Sequence, residues 1–200
     1  VSFKGRSIGQ RAGWFHRVFL TGPYQRRRFV DLGIFAADDP RLIDIGMPKL
    51  DRLVNGSIDA REVRRRHGIA DDETCVLYAP TWGDDSSLAK LGEPLIAALA
   101  RHARVLIKLH DNHYDPLRSR IDWRARMRDW NFPGAVLYQD ADVVPALAAA
   151  DILVSDASSV NQEFTLLDRP MILIEVPSLY QGDRYRSTID LDTWGLRGGI

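Results

Sequence analysis

From residue 41 onward, short apolar runs alternate with stretches in which apolar residues recur every three or four positions. That alternation is the pattern of βαβ units wrapped around a parallel sheet. The strand candidates are Leu42–Ile45, Thr74–Ala79, Val105–Leu109, Ala135–Tyr138, Ile152–Ser155 and Met171–Glu175. Between them, Asp59–His67, Glu93–His102, Asp122–Trp130, Val143–Ala150 and Ser159–Leu167 carry helical spacing. Pro94 and Pro145 fall near helix starts, where a missing N–H costs little, and Gly68 and Pro170 follow helix ends. The prediction is a Rossmann-like, doubly wound α/β sheet. Before it, Arg17–Thr21 reads as a short strand and Pro23–Leu32 as a helix stopped by Gly33, the remnant of a preceding domain. The expected division is 1–40 and 41–200, with the break near residues 36–41, where Ala-Ala-Asp-Asp-Pro interrupts the pattern.

Composition narrows the function classes. Lys plus Arg and Asp plus Glu both total 27, so no global field draws the chain to nucleic acid, and any anion site has to be local. The single cysteine, Cys75, sits inside the apolar run Thr74–Tyr78, where it reads as a small buried hydrophobe, and one cysteine cannot build a disulfide framework. No apolar stretch approaches the ~20 residues that span a bilayer, and no secretory signal precedes the fold, so the expected compartment is the cytoplasm. The sequence starts at Val1 without an initiating Met and stops at Gly198-Gly199-Ile200, and is expected to be a piece of something longer.

In an open parallel sheet, ligands bind beyond the carboxyl ends of the strands. The residues there are Gly46–Lys49, Pro80–Asp85, His110–His113, Gln139-Asp140 and Asp156–Ser159, a set rich in hydroxyls, histidines, Gly and Pro. The segment Ser155–Glu163 leaves an apolar strand and at once opens a helix, so free N–H groups and the Ser158 and Ser159 hydroxyls would suit a phosphate. A plain cap competes with that reading, because Ser159–Gln162 has capping-box spacing. Asp156 would repel a phosphate, and is assigned to holding the loop by accepting backbone N–H bonds. Glu163 could accept from a ribose or simply favour the helix dipole. His110, two residues after Lys108, is placed to act as a base or as a donor to a phosphoryl oxygen, or else to cap the next helix. His113 competes with it. The His-x-x-His spacing lacks a third ligand, which argues against a metal site, and Asp84-Asp85 fits a polar turn better than a cation. Arg61, Arg64, Arg65 and Arg66, like Arg118 to Arg128, read as solvated faces.

These loops resemble those of the CDP-glycerol glycerophosphotransferases, the teichoic acid primases and polymerases with a two-domain GT-B fold. The matching segments are Gly46-Met-Pro-Lys-Leu-Asp51, Tyr78-Ala-Pro-Thr-Trp82, Ile107-Lys-Leu-His110 and Ser155-Asp-Ala-Ser-Ser-Val160 continuing through Glu163 to Asp168-Arg-Pro170, in order over ~125 residues. The resemblance implies that residues 41–200 form a truncated donor-binding half of a GT-B fold, with residues 1–40 closing the acceptor-side domain. It implies transfer of glycerol phosphate, or a related polyol or sugar phosphate, from a CDP-linked donor to a hydroxyl of a lipid-linked or polymeric acceptor, with CMP leaving. His110 would then be catalytic, and Ser158, Ser159, Asp156, Glu163, Pro80, Thr81, Trp82, Lys108 and Gly46 would bind substrate, with no cofactor required. The acceptor places the expected location at the inner face of the cell membrane, as a peripheral protein.

The family's His-Gly motif would end just ahead of Val1–Gly5, so the isolated piece is expected to be inactive. The sequence departs from the family at Gly83, where Arg is common, and at Ala157, where Tyr is common. Two other readings stay open. A GT-B sugar transferase or UDP-sugar epimerase would reuse the same cradle, and a non-catalytic fragment would bind nucleotide without transfer.

Overall fold

The computed structural model describes residues 11–130 and 132–178, which divide into two compact units, 11–51 and 52–178. Val1–Gly5 and Gly198–Ile200 lie outside the described residues. In the first unit, β1 (Val18–Leu20) leads through α1 (Pro23–Asp31) to β2 (Leu42–Asp44), and the two strands pair in parallel with Leu20 opposite Asp44. Leu20, Phe29, Phe35 and Leu42 form its core. The Leu42–Ile45 run is therefore a strand, but of this small sheet and not of the main one. The Asp38-Asp39-Pro40 stretch lies inside this unit, whose contacts continue to Asp51.

After α2 (Asp51–Val54), the second unit alternates as the periodicity requires. Its elements are α3 (Ala60–Arg66), β3 (Cys75–Tyr78), α4 (Ser87–Ala100), β4 (Arg104–Ile107), α5 (Trp123–Arg128), β5 (Ala135–Leu137), α6 (Val144–Ala149), β6 (Ile152–Ser155), α7 (Val160–Phe164) and β7 (Met171–Leu173). All five strands are parallel, in the order β5-β4-β3-β6-β7. The central strands are apolar on both faces, as a sheet covered twice demands. Val76, Tyr78, Val105, Ile107 and Val154 pack with Leu88, Ile96 and Trp123 in one cluster. Leu77, Leu106 and Leu153, which alternate with them, are fully buried as well, and α3 and α6, packed together, cover that side.

The order turns between β3 and β6. Chain connection runs outward from β3 to β4 and β5, then returns to β6 on the other side, so the turning point at which open parallel sheets form a crevice lies at the carboxyl ends of β3 and β6.

Helix α4 departs from expectation. It was predicted from Glu93, yet it starts at Ser87, capped by Ser86, whose hydroxyl accepts the Ala89 N–H at 3.2 Å. Gly92 breaks it with φ 40° and ψ −122°, so Pro94 sits near the start of the second piece, where its missing N–H costs least.

Candidate functional site

The loops after β3 and β6 are joined by one side chain. Asp156 is only 2% exposed, and its two carboxylate oxygens accept the Thr81 N–H at 2.6 Å and the Ser87 N–H at 2.8 Å. Burial pushes its carboxyl pKa up, and the Thr81 and Ser87 bonds pull it back down. The Ser155 hydroxyl donates to the Ala79 carbonyl at 2.7 Å, and Tyr78 Oη lies 2.9 Å from Ser87 Oγ. The Asp156 carbonyl accepts from the Ser158 N–H at 2.8 Å and from Asn161 Nδ2 at 2.6 Å. One residue thus sets both walls of the crevice.

Ser159 corrects the capping-box expectation. Its backbone is already helical (φ −64°, ψ −20°), and its side chain makes no cap bond. Capping needs an extended residue whose hydroxyl turns back on the helix. Ser159 is exposed and Ser158 half-buried, on the loop between β6 and α7. The N–H groups at the start of α7 have no carbonyl within their own helix to bond.

The loop after β4 separates the two histidines. His110 is exposed, and its Nδ1 accepts the Asn112 N–H at 3.1 Å, capping the single 3-10 turn Asp111–His113. The indole of Trp82, from the loop after β3, lies beside it at 6.2 Å between ring centroids. His113 is 3% exposed, stands edge-on to Trp123 at 5.7 Å, and is pushed down to a pKa of about 4 by burial. It is an interior ring, in contrast to His110.

Four further candidates are interior. Lys108 is 8% exposed, and its ammonium donates to the Leu109 carbonyl at 3.1 Å and lies 3.7 Å from Asp111. In this geometry it supports the His110 loop. Glu163, 2% exposed, is an interior carboxylate of α7. Pro80 and Thr81 are buried, and Trp82 is half-buried. Gly46, with φ 72°, belongs to the first unit. Cys75 is buried, and desolvation raises its thiol pKa to about 12, which makes it inert. Among the described residues, no group of three or more His, Cys, Asp or Glu could hold a metal ion.

The polar residues beneath the crevice, Tyr78, Ser87, Ser155 and Asn161, were not singled out by their own chemistry in the sequence. Ser86-Ser87 ahead of Leu88 was the available signal, a cap in front of an apolar run.

A profile of the CDP-Glycerol:Poly(glycerophosphate) glycerophosphotransferase family matches residues 20–192. The chain belongs to this family. Among its relatives is a teichoic acid poly(glycerol phosphate) polymerase of Staphylococcus epidermidis, 24% identical over 90% of this chain and 24% of its own length. A teichoic acid glycerol-phosphate transferase of Staphylococcus aureus is 24% identical over 84% of this chain and 44% of its own. A lipid-A-disaccharide synthase of Gloeothece citriformis is 28% identical over 65% of this chain and 33% of its own. A solved structure of the wall teichoic acid polymerase TagF, a variant soaked with CDPG, superposes with a TM-score of 0.65 at 22% identity, covering 92% of this chain and 42% of that one. That likeness establishes the fold, a five-stranded parallel sheet with flanking helices as in one domain of the polymerase. The chain spans between a quarter and a half of the length of these relatives.

Within the glycerophosphotransferase family, the motif segments of this chain occupy adjacent positions. Tyr78–Trp82, Ile107–His110 and Ser155–Glu163 all leave the carboxyl ends of neighbouring strands, β3, β4 and β6.

Proposed function

We propose that this chain is the donor-binding part of a glycerophosphotransferase that moves glycerol phosphate from CDP-glycerol to a hydroxyl of a poly(glycerophosphate) or lipid-linked acceptor. The observation that carries the reading is the convergence of three family segments on the crevice at the turning point of the strand order. Amides at the start of α7, with the Ser158 and Ser159 hydroxyls, bind the diphosphate. Asp156 holds the walls, Trp82 and the Pro80-Thr81 turn shape the nucleotide side, Lys108 supports the His110 loop, and Glu163 stiffens α7 from within.

In the reaction, the acceptor oxygen attacks the phosphorus that carries glycerol. A new P–O bond forms, the bond from that phosphorus to the bridging oxygen breaks, and CMP leaves with that oxygen. The acceptor's proton passes to a base. Hydrogen bonds aimed at the phosphoryl oxygens stabilise the charge that builds there, which is the larger part of catalysis in such transfers. No helix among the described residues is long and apolar enough to cross a membrane, and the protein acts from the cytoplasmic side on acceptors at the membrane surface.

The test is a donor panel on the full-length protein. CMP release from CDP-glycerol, dependent on acceptor, is the expected result; turnover of UDP-sugars alone would replace this reading with sugar transfer, the alternative that the lipid-A-disaccharide synthase likeness favours. Ser158→Ala together with Ser159→Ala should weaken CDP-glycerol binding by about 1 to 3 kcal/mol per lost contact, read by calorimetry.

A further inference from the structure

The turn after β4 holds His110 by more than its backbone. The His110 carbonyl accepts the His113 N–H at 2.9 Å and lies 3.2 Å from His113 Nδ1, so the buried ring of His113 anchors the turn from below. From above, the Asn112 N–H is directed at His110 Nδ1. A neutral imidazole carries one proton, and the nitrogen that accepts a hydrogen bond is the one without it. A backbone amide can only donate, so this contact cannot reverse its direction.

We infer that the Asn112 amide fixes the tautomer of His110, leaving its proton on Nε2, so that His110 meets the substrate as a hydrogen-bond donor and not as the base that deprotonates the acceptor. To serve as a base, Nε2 would have to present a lone pair, and the neutral ring would then carry its proton on Nδ1, head to head with the Asn112 N–H. A donor at Nε2 suits a phosphoryl or leaving-group oxygen, on which negative charge grows. Asn112 acts through its backbone and Lys108, bonded to Leu109 and facing Asp111, holds the strand end beneath the turn. Both are positioning residues. The assignment of a substrate to His110 rests on the proposed function; the tautomer itself does not.

The experiment is a long-range proton–nitrogen NMR correlation on the chain labelled with nitrogen-15 histidine, at a pH where the ring is neutral, with His110 identified by its loss in His110→Gln. The expected spectrum shows His110 protonated at Nε2 and bare at Nδ1. A dominant Nδ1–H form overturns the inference. Asn112→Pro removes the amide proton and should move the His110 population toward a mixture of the two forms, while Asn112→Ala, which keeps the amide, should retain the wild-type tautomer. An unchanged Nε2–H population in a folded Asn112→Pro protein would overturn the role of the amide. Should that variant not fold, the wild-type spectrum still decides the tautomer. In the full-length enzyme, Asn112→Pro should lower kcat by roughly tenfold or more with the donor KM held within about threefold. A KM change with kcat intact would count against a donor acting in the transfer step. If CDP-glycerol fails to shift the His110 signals although Nε2 carries the proton, the functional reading fails and the tautomer assignment stands.

Discussion

Both ends of the five-stranded sheet are held by charged side chains that grip backbone, guanidinium groups together with Asp151, which accepts the Cys75 N–H at 2.8 Å, at one end and a lone carboxylate at the other. At the amino end, Arg64 donates through Nε to the Ala149 carbonyl at 2.9 Å and pairs with Asp151 at 2.6 Å, and Arg169 donates to the carbonyls of Ala148 and Ala150 at 2.9 and 2.5 Å. Those carbonyls close α6, where the helix dipole is negative and cations are favoured. At the carboxyl end, Asp156 accepts amides at Thr81 and at the start of α4. The difference lies in completeness. Two guanidinium groups satisfy three successive carbonyls below, whereas above a single carboxylate satisfies two amides and the rim is left with hydroxyls and the opening of α7. The lower end has its helix carbonyls satisfied beside a cavity lined by Thr74, Arg104 and Phe132; the upper end is tied at its floor by Asp156.

The largest test of this contrast is Asp156→Ala. It strands two buried N–H groups at once and should cost about 2 to 5 kcal/mol in urea denaturation, with little recovery in Asp156→Asn, whose amide can accept through one oxygen only. A loss below that of Arg64→Ala would show that the lower end carries the fold.

Acid gives the next effect. His113 is lowered from 6.5 to about 4 by burial, so between those values the unfolded chain binds a proton that the folded chain refuses. Stability on this account is complete above the unfolded pKa and falls as pH drops toward the folded one, by about 3 kcal/mol over the whole window. His113→Phe should flatten that decline, seen by comparing denaturation midpoints at neutral pH and about pH 5. Asp156, with its pKa raised, works in the opposite sense, and the difference between variant and wild type isolates the histidine.

Arg64→Ala should cost about 1 to 3 kcal/mol, because Asp151, nearly half exposed, keeps the Cys75 N–H and is hydrated in place when its cationic partner is gone. The smallest effect is Ser159→Ala, below about 0.5 kcal/mol in stability, since no cap bond is lost. A loss of a full cap's worth, measured in the same way, would make the serine structural.

The strands of the main sheet were legible because each is a short apolar run between polar breaks, and the site's position followed from where those runs end. Pairing was less legible. Leu42–Asp44 was read correctly as a strand, but its partner, Val18–Leu20, depends on contacts that periodicity does not encode. The start of α4 was hidden because Gly92 and Pro94 imitate a helix boundary. Arg64 was grouped with Arg61, Arg65 and Arg66, which remain exposed; what turns Arg64 inward is a carbonyl 85 residues away. His110 and His113 are three residues apart with the same chemistry, and only the packing of Trp123 decides which one is buried.

The interruption at Gly92 has a consequence for how the crevice tolerates change. Its backbone is off the helical path, so the turn beginning at Ser87 and the stretch packed through Ile96 follow separate axes. Repacking around Ile96 that rotates the distal stretch by a few degrees is absorbed at one glycine and does not swing the Ser87 amide off its carboxylate. The interior can drift in sequence while the mouth of the crevice keeps its alignment.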